Sequence, residues 1–238
     1  MDGAKIKAAI RQTSAELAAR TLQGRGPLWR TTEPEHIPRE AVASSASCGQ
    51  PLEHVTLKPG HVVLDVGCGA GVDVFSASRR VGQLGHVIGV DMTLEMILKA
   101  RQLAEKYDYK NVDFRLGEAE RLPVETKTVD VVISNCVLNM VPDKLQALEE
   151  MHRVLRRRGT LSMTDVIATH TQPRQRNTDP LDWAASAVGA ITVIAYVRLL
   201  RKAGFQRIHA FDEESVRNKL QIQSSVQVNA MAFLASKP

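Results

Sequence analysis

The 238-residue chain has few cysteines, few aromatic residues and no long apolar run. Cys48, Cys68 and Cys136 include no C-x-x-C pair, which argues against a zinc knuckle, and three cysteines cannot all pair within one chain. We therefore expect a reducing, cytoplasmic setting. No segment has the roughly 18 to 20 apolar residues of a membrane helix, and the N-terminus lacks a secretory signal, so no membrane partner is expected. Aromatic residues make up only 4% of the chain, which argues mildly against a large, flat aromatic ligand.

The net charge of +5 is also spread thinly along the chain. The densest basic run, residues 156–158, is predicted to end a helix, where positive charge is stabilised by the helix dipole. Because no basic stripe is interleaved with aromatic residues, we expect no nucleic-acid partner. The balance of 44% apolar and 24% charged residues is typical of a globular domain.

From residue 61 onward, apolar periodicity predicts strands that alternate with helices. The predicted strands are 61–67, 86–91, 112–116, 129–135, 160–168, 206–211 and 228–236, and the predicted helices are 71–81, 93–107, 143–155 and 192–205. Thr93 and Asp143 are expected to cap the second and third of these helices. This alternation predicts an α/β fold with a mostly parallel sheet.

A glycine cluster follows the first predicted strand, in the sequence DVGCGAG from Asp65 to Gly71. Its spacing differs from the dinucleotide-binding G-x-G-x-x-G because Val72 stands where the third glycine would be. Glycines allow a tight turn and a close approach of the backbone to a ligand. Asp91 ends the second strand, where a carboxylate can accept hydrogen bonds from both hydroxyls of a ribose. Together these features predict a nucleotide-type cofactor site.

Across about residues 45–210, the chain resembles the class I S-adenosylmethionine (SAM) methyltransferases. The resemblance is carried by LDVGCGAG, VIGVDMT, GEAERLP (residues 117–123) and VDVVISN, in that order. It implies a Rossmann-like, seven-stranded, mostly parallel sheet with helices on both faces, and SAM as the cofactor. The implied cofactor-binding residues are Asp65, Gly67, Cys68, Gly69, Gly71, Asp91, Met92, Glu118, Ala119 and Asn135.

The same resemblance implies a role for several of these residues. Gly67 would lie against the methionine part of SAM, and Asp91 would bind the ribose. Met92 would pack on the adenine, whose edge would meet Glu118 and the backbone of Ala119.

Within that superfamily, residues 87–144 resemble the arsenite methyltransferases nearly end to end, most specifically in SNCVLN, where Cys136 directly follows the strand-four Asn. The segment SCGQPL around Cys48 resembles a segment that precedes the first strand in that family. The resemblance implies that Cys48 and Cys136 are catalytic and hold trivalent arsenic, a soft centre that thiolates bind well. The arsenic lone pair could then attack the sulfonium methyl group, and the protein would position the reactants and exclude water. No resident metal is expected.

One family feature is missing, because Ser186 stands where a third ligand cysteine is expected. A hydroxyl is a poor arsenic ligand, so the third ligand would be an external thiol such as glutathione, or the acceptor is not arsenic.

Three alternatives therefore stay open. A small-molecule O-, N-, C- or S-methyltransferase could use His36, Asp165 or His170 as a base. A nucleic-acid methyltransferase is disfavoured because SNCV lacks the Asn/Asp-Pro-Pro-Tyr/Phe tetrad of a flipped-base pocket. A SAM-binding protein without catalytic activity is the third.

The sequence predicts two parts. Residues 1–58 form an N-terminal helix (1–24) and a connecting segment, and residues 59–238 form the methyltransferase domain, in which 168–190 is a substrate-side loop. Residues 1–58 and 168–190 are expected to close over a small-molecule acceptor. Removing residues 1–24 should then weaken acceptor use more than cofactor binding.

Overall fold

The computed structural model describes residues 2–19, 37–170, 180, 187–212 and 228–238. The strands are β1 Val62–Val66, β2 His86–Asp91, β3 Val112–Leu116, β4 Val129–Asn135, β5 Leu155–Ala168, β6 Gln206–Asp212 and β7 Val228–Ser236. The helices are α1 Gly3–Ala18, α2 Arg39–Ala43, α3 Val72–Val81, α4 Leu94–Lys106, α5 Lys144–Val154 and α6 Val193–Lys202. Short 3-10 turns cover Pro51–Glu53 and Ala187–Gly189.

The strands form one seven-stranded sheet in the order β3-β2-β1-β4-β5-β7-β6. Strands β1 to β5 pair in parallel, whereas β7 runs antiparallel between β5 and β6. This arrangement confirms the predicted Rossmann-like fold. It also brings the ends of β1, β2, β4 and β5 to one edge, where ligands bind in open α/β sheets.

Two apolar cores, one on each face of the sheet, hold the helices in place. Neighbouring strand residues alternate between them: Leu64 packs in the core that contains Leu148 of α5, and Val63 in the core that contains Phe75 of α3. This alternation follows from the two-residue repeat of a strand. The expectation of helices on both faces is therefore confirmed.

The basic run Arg156–Arg158 does not end a helix, so that prediction was wrong. Helix α5 ends at Val154, and Leu155 already has extended backbone angles, so the chain passes directly from helix to strand without a loop. The arginines therefore open β5, where Arg156 pairs with Asp130.

The predicted helix caps had different outcomes. The Asp143 side chain accepts a 3.0 Å hydrogen bond from the backbone N–H of Gln146, which confirms it as the cap of α5. Thr93 occupies the cap position of α4, but its side chain makes no capping hydrogen bond. Part of the predicted connecting segment is helical, since it contains α2 and the turn at Pro51–Glu53, while residues 20–36 lie outside the described ranges.

Among the described residues, no helix is both long enough and apolar enough to cross a bilayer.

We predict that Asp143→Ala lowers the free energy of unfolding by about 1 kcal/mol, because an N-terminal N–H of α5 loses its acceptor. Asp143→Asn is the matched control, since an amide oxygen caps as well as a carboxylate. Urea unfolding of the three proteins is the measurement. Equal stability of the Ala and Asn variants would contradict the capping role.

Candidate active site

An open cleft of about 1020 Å³, counting space continuous with solvent, lies at the carboxyl edge of the sheet. Its lining comes from the segments that follow β1, β2, β3 and β4, and from α1 on the opposite side. The predicted cofactor residues found on this lining are Asp65, Gly67, Cys68, Gly69, Asp91, Met92, Ala119 and Asn135. The fold thus brings together residues that are far apart in the sequence.

The glycine loop is fastened to the neighbouring strand. The backbone N–H groups of Gly67 and Cys68 both donate to the carbonyl of Val90, at 2.7 and 3.0 Å. Gly67 has φ +75°, and a Cβ added there would lie 2.2 Å from a methyl carbon of Val137. Neither the backbone angle nor the space therefore accepts a side chain at Gly67.

Two further glycines shape the loop differently. Gly71 has φ +94°, and an added Cβ would meet the Phe114 ring at 2.9 Å, so this glycine allows close packing just before α3. Gly69 has φ +52°, and the nearest atom to an added Cβ is the Met96 sulfur at 4.0 Å. The loop is therefore crowded behind Gly71 and roomier at Gly69, which lines the cleft.

The Asp91 carboxylate is oriented by two backbone groups. One oxygen accepts from the N–H of Gly69 at 3.0 Å, and the other from the N–H of Thr93 at 2.9 Å. Burial raises the pKa of this carboxyl, and the backbone hydrogen bonds oppose that shift. Since each carboxylate oxygen can accept more than one hydrogen bond, both keep capacity for the two hydroxyls of a ribose.

Cys68 is a packing residue in the loop. Burial raises the pKa of its thiol well above the ordinary value, and the nearby carboxylates of Asp91 and Asp65 act in the same direction. An added Cβ at Gly89 would lie 2.9 Å from its sulfur, so the side chain fills the space beside β2. A neutral, enclosed thiol of this kind is a poor nucleophile.

Glu118 takes a different position from the one expected. Its carboxylate pairs with Lys7, at 2.7 Å, and with Arg11, and it does not line the cleft. The hydrogen bond from Lys7 is the main reason that the pKa of Glu118 is lowered. Lys7 also contacts Glu120 at 3.0 Å. Glu118 thus makes an ionic contact with α1, and its expected contact with an adenine edge stays a prediction.

Helix α1 closes the cleft on the side of Asp91 and Met92. Arg11 donates to the Met92 carbonyl at 3.4 Å, and Ile10 and Leu17 line the cleft. The helix packs on α4, the helix that follows Asp91. Helix α1 therefore covers the part of the cleft assigned to the cofactor, and the expected closure of the N-terminal segment over an acceptor stays a prediction.

Asn135, the last residue of β4, is a hydrogen-bonding hub. Its amide oxygen accepts from the N–H of Cys48 at 3.1 Å and from the hydroxyl of Thr164 at 2.9 Å. Its amide nitrogen donates to the carbonyl of Gly49 at 2.8 Å and to the carboxylate of Asp73 at 2.9 Å. These four bonds use the capacity of an amide side chain. Asn135 therefore positions its neighbours, and its assignment to the cofactor site stays a prediction.

The two cysteines implied by the resemblance lie together. The sulfurs of Cys48 and Cys136 and a carboxylate oxygen of Asp165 all lie within 4.8 Å of one another. Cys48 is 1% exposed, whereas Cys136 is partly exposed and lines the cleft. Cys136 is held in a left-handed conformation, φ +61°, with its N–H bonded to the Thr164 carbonyl at 2.9 Å. The thiol cluster and the cleft thus meet at Cys136.

Asp165 is completely buried beside these thiols. One of its oxygens accepts from the Tyr196 hydroxyl and, at 2.8 Å, from the N–H of Asn139; the other accepts from the N–H of Val166 at 2.8 Å. Burial raises the pKa of Asp165 to about 6. The nearby Lys144 ammonium donates to two backbone carbonyls, and burial lowers the pKa of Lys144 to about 8.

Sequence reasoning named Asp165 only as a candidate base and missed its place beside the cysteines. The parallel pairing of β4 with β5 was the available signal. Asn135 lies opposite Thr164, so the residues that follow them, Cys136 and Asp165, reach the same edge of the sheet. His170 is exposed and contacts Thr169. Ser186 and His36 lie outside the described residues.

A methyltransferase domain family matches residues 57–211, which is more than half of the chain. The chain belongs to this methyltransferase family. The methyltransferase is 46% identical over 161 residues to an arsenite methyltransferase of Halobacterium salinarum, an alignment that covers 68% of the chain and 41% of that relative. It is 37% identical over 152 residues to the arsenite methyltransferase of Homo sapiens, covering 60% and 40%. The chain thus spans about half the length of the curated relatives it matches.

Solved structures agree with this assignment. An arsenic(III) SAM methyltransferase from Chlamydomonas reinhardtii superposes with a TM-score of 0.66 at 27% identity, covering 90% of the methyltransferase and 74% of that chain. A SAM-dependent methyltransferase from Aquifex aeolicus superposes with a TM-score of 0.61 at 24% identity, covering 80% and 91%, and supports the fold alone.

S-adenosylmethionine is the cofactor of this fold, and the residues present fit it. Gly67 and Gly71 accept no side chain, and Asp91 offers an oriented carboxylate beside Met92. These are the features required for backbone approach to the methionyl part and for recognition of a ribose.

We predict that Gly67→Ala weakens binding of SAM or its demethylated product by roughly ten- to a hundredfold, because the added methyl group overlaps Val137. Gly60→Ala is the matched control: Gly60 also has a positive φ, +85°, but nothing lies within 4 Å of an added Cβ. Calorimetric titration measures both. Equal losses of affinity would show that backbone strain, and not the packing of the loop, explains the effect.

We also predict that replacing Lys7 and Arg11 with alanine weakens cofactor binding by roughly three- to tenfold, because α1 loses its ionic contacts with Glu118 and Glu120. Lys5→Ala, an exposed position on the same helix, is the control. Dissociation rates of the demethylated cofactor give the readout, and the difference should shrink at high salt. An unchanged double variant would mean that α1 does not retain the cofactor.

Proposed function

We propose that this methyltransferase transfers the methyl group of SAM to trivalent arsenic held by Cys48 and Cys136. The observation that carries the proposal is the proximity of the two sulfurs, which lie within 4.8 Å of each other, with Cys136 on the lining of the cleft. Two thiols at this separation can bind one soft, thiophilic centre together. The names of the related arsenite methyltransferases support the same acceptor.

The fold prepares the thiols before any acceptor arrives. Asn135 fastens the Cys48 segment to the end of β4 through the N–H of Cys48 and the carbonyl of Gly49. Gly49 allows this close approach, because an added Cβ there would lie 2.8 Å from Thr164. The acceptor would therefore meet two positioned ligands, which lowers the entropy cost of reaching the reacting geometry.

When bound, SAM supplies an electrophilic methyl group on a sulfonium. The chain's part is to hold the acceptor, orient it and limit water. Cys48 is buried, so an acceptor bound between the thiols would be sheltered from solvent on that side. Transfer needs no general base, because a thiol-bound arsenic atom offers a lone pair instead of a proton-bearing group.

The third arsenic ligand is proposed to be an external thiol such as glutathione. Ser186, at the position where relatives are expected to carry a cysteine, is a poor arsenic ligand, and it lies outside the described residues. The cleft reaches Cys136, so a small thiol would have a path to the acceptor.

We predict that the wild-type chain, incubated with labelled SAM, arsenite and glutathione, yields methylated arsenic. Cys136→Gly should lower the rate of methyl transfer by roughly a hundredfold or more, because the arsenic atom would no longer be held in position for reaction. Its unfolding free energy should stay the same or rise by about 1 kcal/mol, because φ +61° suits glycine. Cys136→Ser is the matched control, since it removes the thiol but keeps the strained side chain.

The outcomes separate the roles clearly. Loss of product in both variants, with cofactor binding retained, supports Cys136 as an acceptor ligand. Product formed at the wild-type rate by Cys136→Gly would overturn the proposal. Tight SAM binding with no arsenical product from the wild-type chain would direct the search to organic acceptors.

A further inference from the structure

The cluster of Cys48, Cys136 and Asp165 has a donor set that arsenic does not explain. Two of its atoms are sulfurs, but the third is a carboxylate oxygen, and all three lie within 4.8 Å of one another. A hard carboxylate contributes little to a soft arsenic centre. Zinc-type cations accept both thiolate and carboxylate ligands, at about 2.3 Å for sulfur and about 2.0–2.2 Å for oxygen. A cation placed between three ligand atoms that are at most 4.8 Å apart needs only a small inward movement of the side chains to reach these metal–ligand distances.

The charges around the cluster also favour a divalent cation. Asp165 is a buried carboxylate that accepts a hydrogen bond from the neutral Tyr196 hydroxyl, and the thiols of Cys48 and Cys136 lie beside it. The cationic side chain recorded near Asp165 among the described residues is Lys144, which donates to the carbonyls of Asn139 and Val141. Thiols lose their protons when they bind a metal ion, and Lys144 alone would then offset only part of the negative charge of two thiolates and a carboxylate. A divalent cation would balance the rest.

The hydrogen bonds of Asp165 leave it able to act as a ligand. The oxygen that accepts from Tyr196 and Asn139 is fully engaged, whereas the other accepts a single bond, from Val166. Such outer contacts orient ligands in metal sites. Because Cys136 also lines the cleft, the fourth coordination position would face the cleft and accept water or a small ligand.

We propose that Cys48, Cys136 and Asp165 form a binding site for a borderline divalent cation of the zinc type, with its fourth position open to the cleft. The site uses the two cysteines assigned to arsenic but requires neither arsenic nor methyl transfer. A bound cation and a thiol-bound arsenical would therefore exclude each other.

The test is titration of the reduced, full-length chain with Co²⁺ as a spectroscopic probe, followed by displacement with Zn²⁺. We expect one equivalent of Co²⁺, with thiolate-to-cobalt charge-transfer absorption and the strong visible bands of four-coordinate cobalt. Cys48→Ser and Cys136→Ser should each abolish that spectrum. Asp165→Asn should weaken Zn²⁺ binding by roughly ten- to a hundredfold, and Asp113→Asn, on edge strand β3, should leave it unchanged.

Phenylarsine oxide separates this proposal from the proposed function, because it binds through two thiols and does not need Asp165. The Asp165→Asn variant should keep phenylarsine binding while losing Zn²⁺ affinity. Zinc binding without any arsenic methylation would support the cation site and refute the proposed function. In the wild-type chain, prior Zn²⁺ should slow phenylarsine binding.

Two results would overturn the cation site: no stoichiometric Co²⁺ or Zn²⁺ binding by the wild-type chain, or wild-type Zn²⁺ affinity in a folded Asp165→Asn variant. Binding of the demethylated cofactor shows whether the Asp165→Asn variant is folded. If it is unfolded, X-ray absorption of the Zn²⁺-loaded wild-type chain identifies the ligands instead. Two sulfur neighbours with oxygen at about 2.0–2.2 Å support the site, and a shell of sulfur alone or without sulfur refutes it.

Discussion

The hydrogen bonds of Asn135 are the interaction on which the site depends. This one side chain joins the end of β4 to the Cys48–Gly49 segment, to Asp73 of α3 and to Thr164 of β5. It is only 9% exposed, and an unsatisfied amide would be costly at that depth. The bonds therefore hold one arrangement, in which the Cys48 segment lies across the strand ends beside Cys136. The cleft and the pair of cysteines, Cys48 and Cys136, therefore share this anchor.

The backbone of Cys136 shows a second constraint. A residue with a side chain is disfavoured at φ +61° by about 1 kcal/mol, and such strained positions concentrate at functional sites. The hydrogen bond from its N–H to Thr164 keeps the residue in this conformation. In this conformation the Cys136 sulfur lies within 4.8 Å of the Cys48 sulfur, and Cys136 also lines the cleft.

The sequence predicted the parts of this site that depend on local patterns. Alternating apolar runs gave the strands, the glycine cluster gave the loop at Gly67–Gly71, and the end of the second strand gave the Asp91 carboxylate on the cleft lining. The parts that it missed depend on contacts between distant segments. Glu118 meets Lys7 and Arg11 only because α1 folds back over the cleft, and Asp165 joins the cysteines only through the pairing of β4 with β5. The assignment of Arg156–Arg158 to a helix end failed because no turn residue separates α5 from β5.

The most direct test of the account is to count the thiols that a single arsenical protects. The reduced wild-type chain is incubated with one equivalent of phenylarsine oxide and unfolded with the arsenical still bound, so that the buried thiols become accessible. Free thiols are then alkylated, the arsenical is released, and the cysteines are mapped by mass spectrometry. We expect alkylation of Cys68 alone, because the arsenical shields Cys48 and Cys136 together. Protection of one cysteine alone, or of a pair that includes Cys68, would contradict the claim that the fold joins these two thiols into one site.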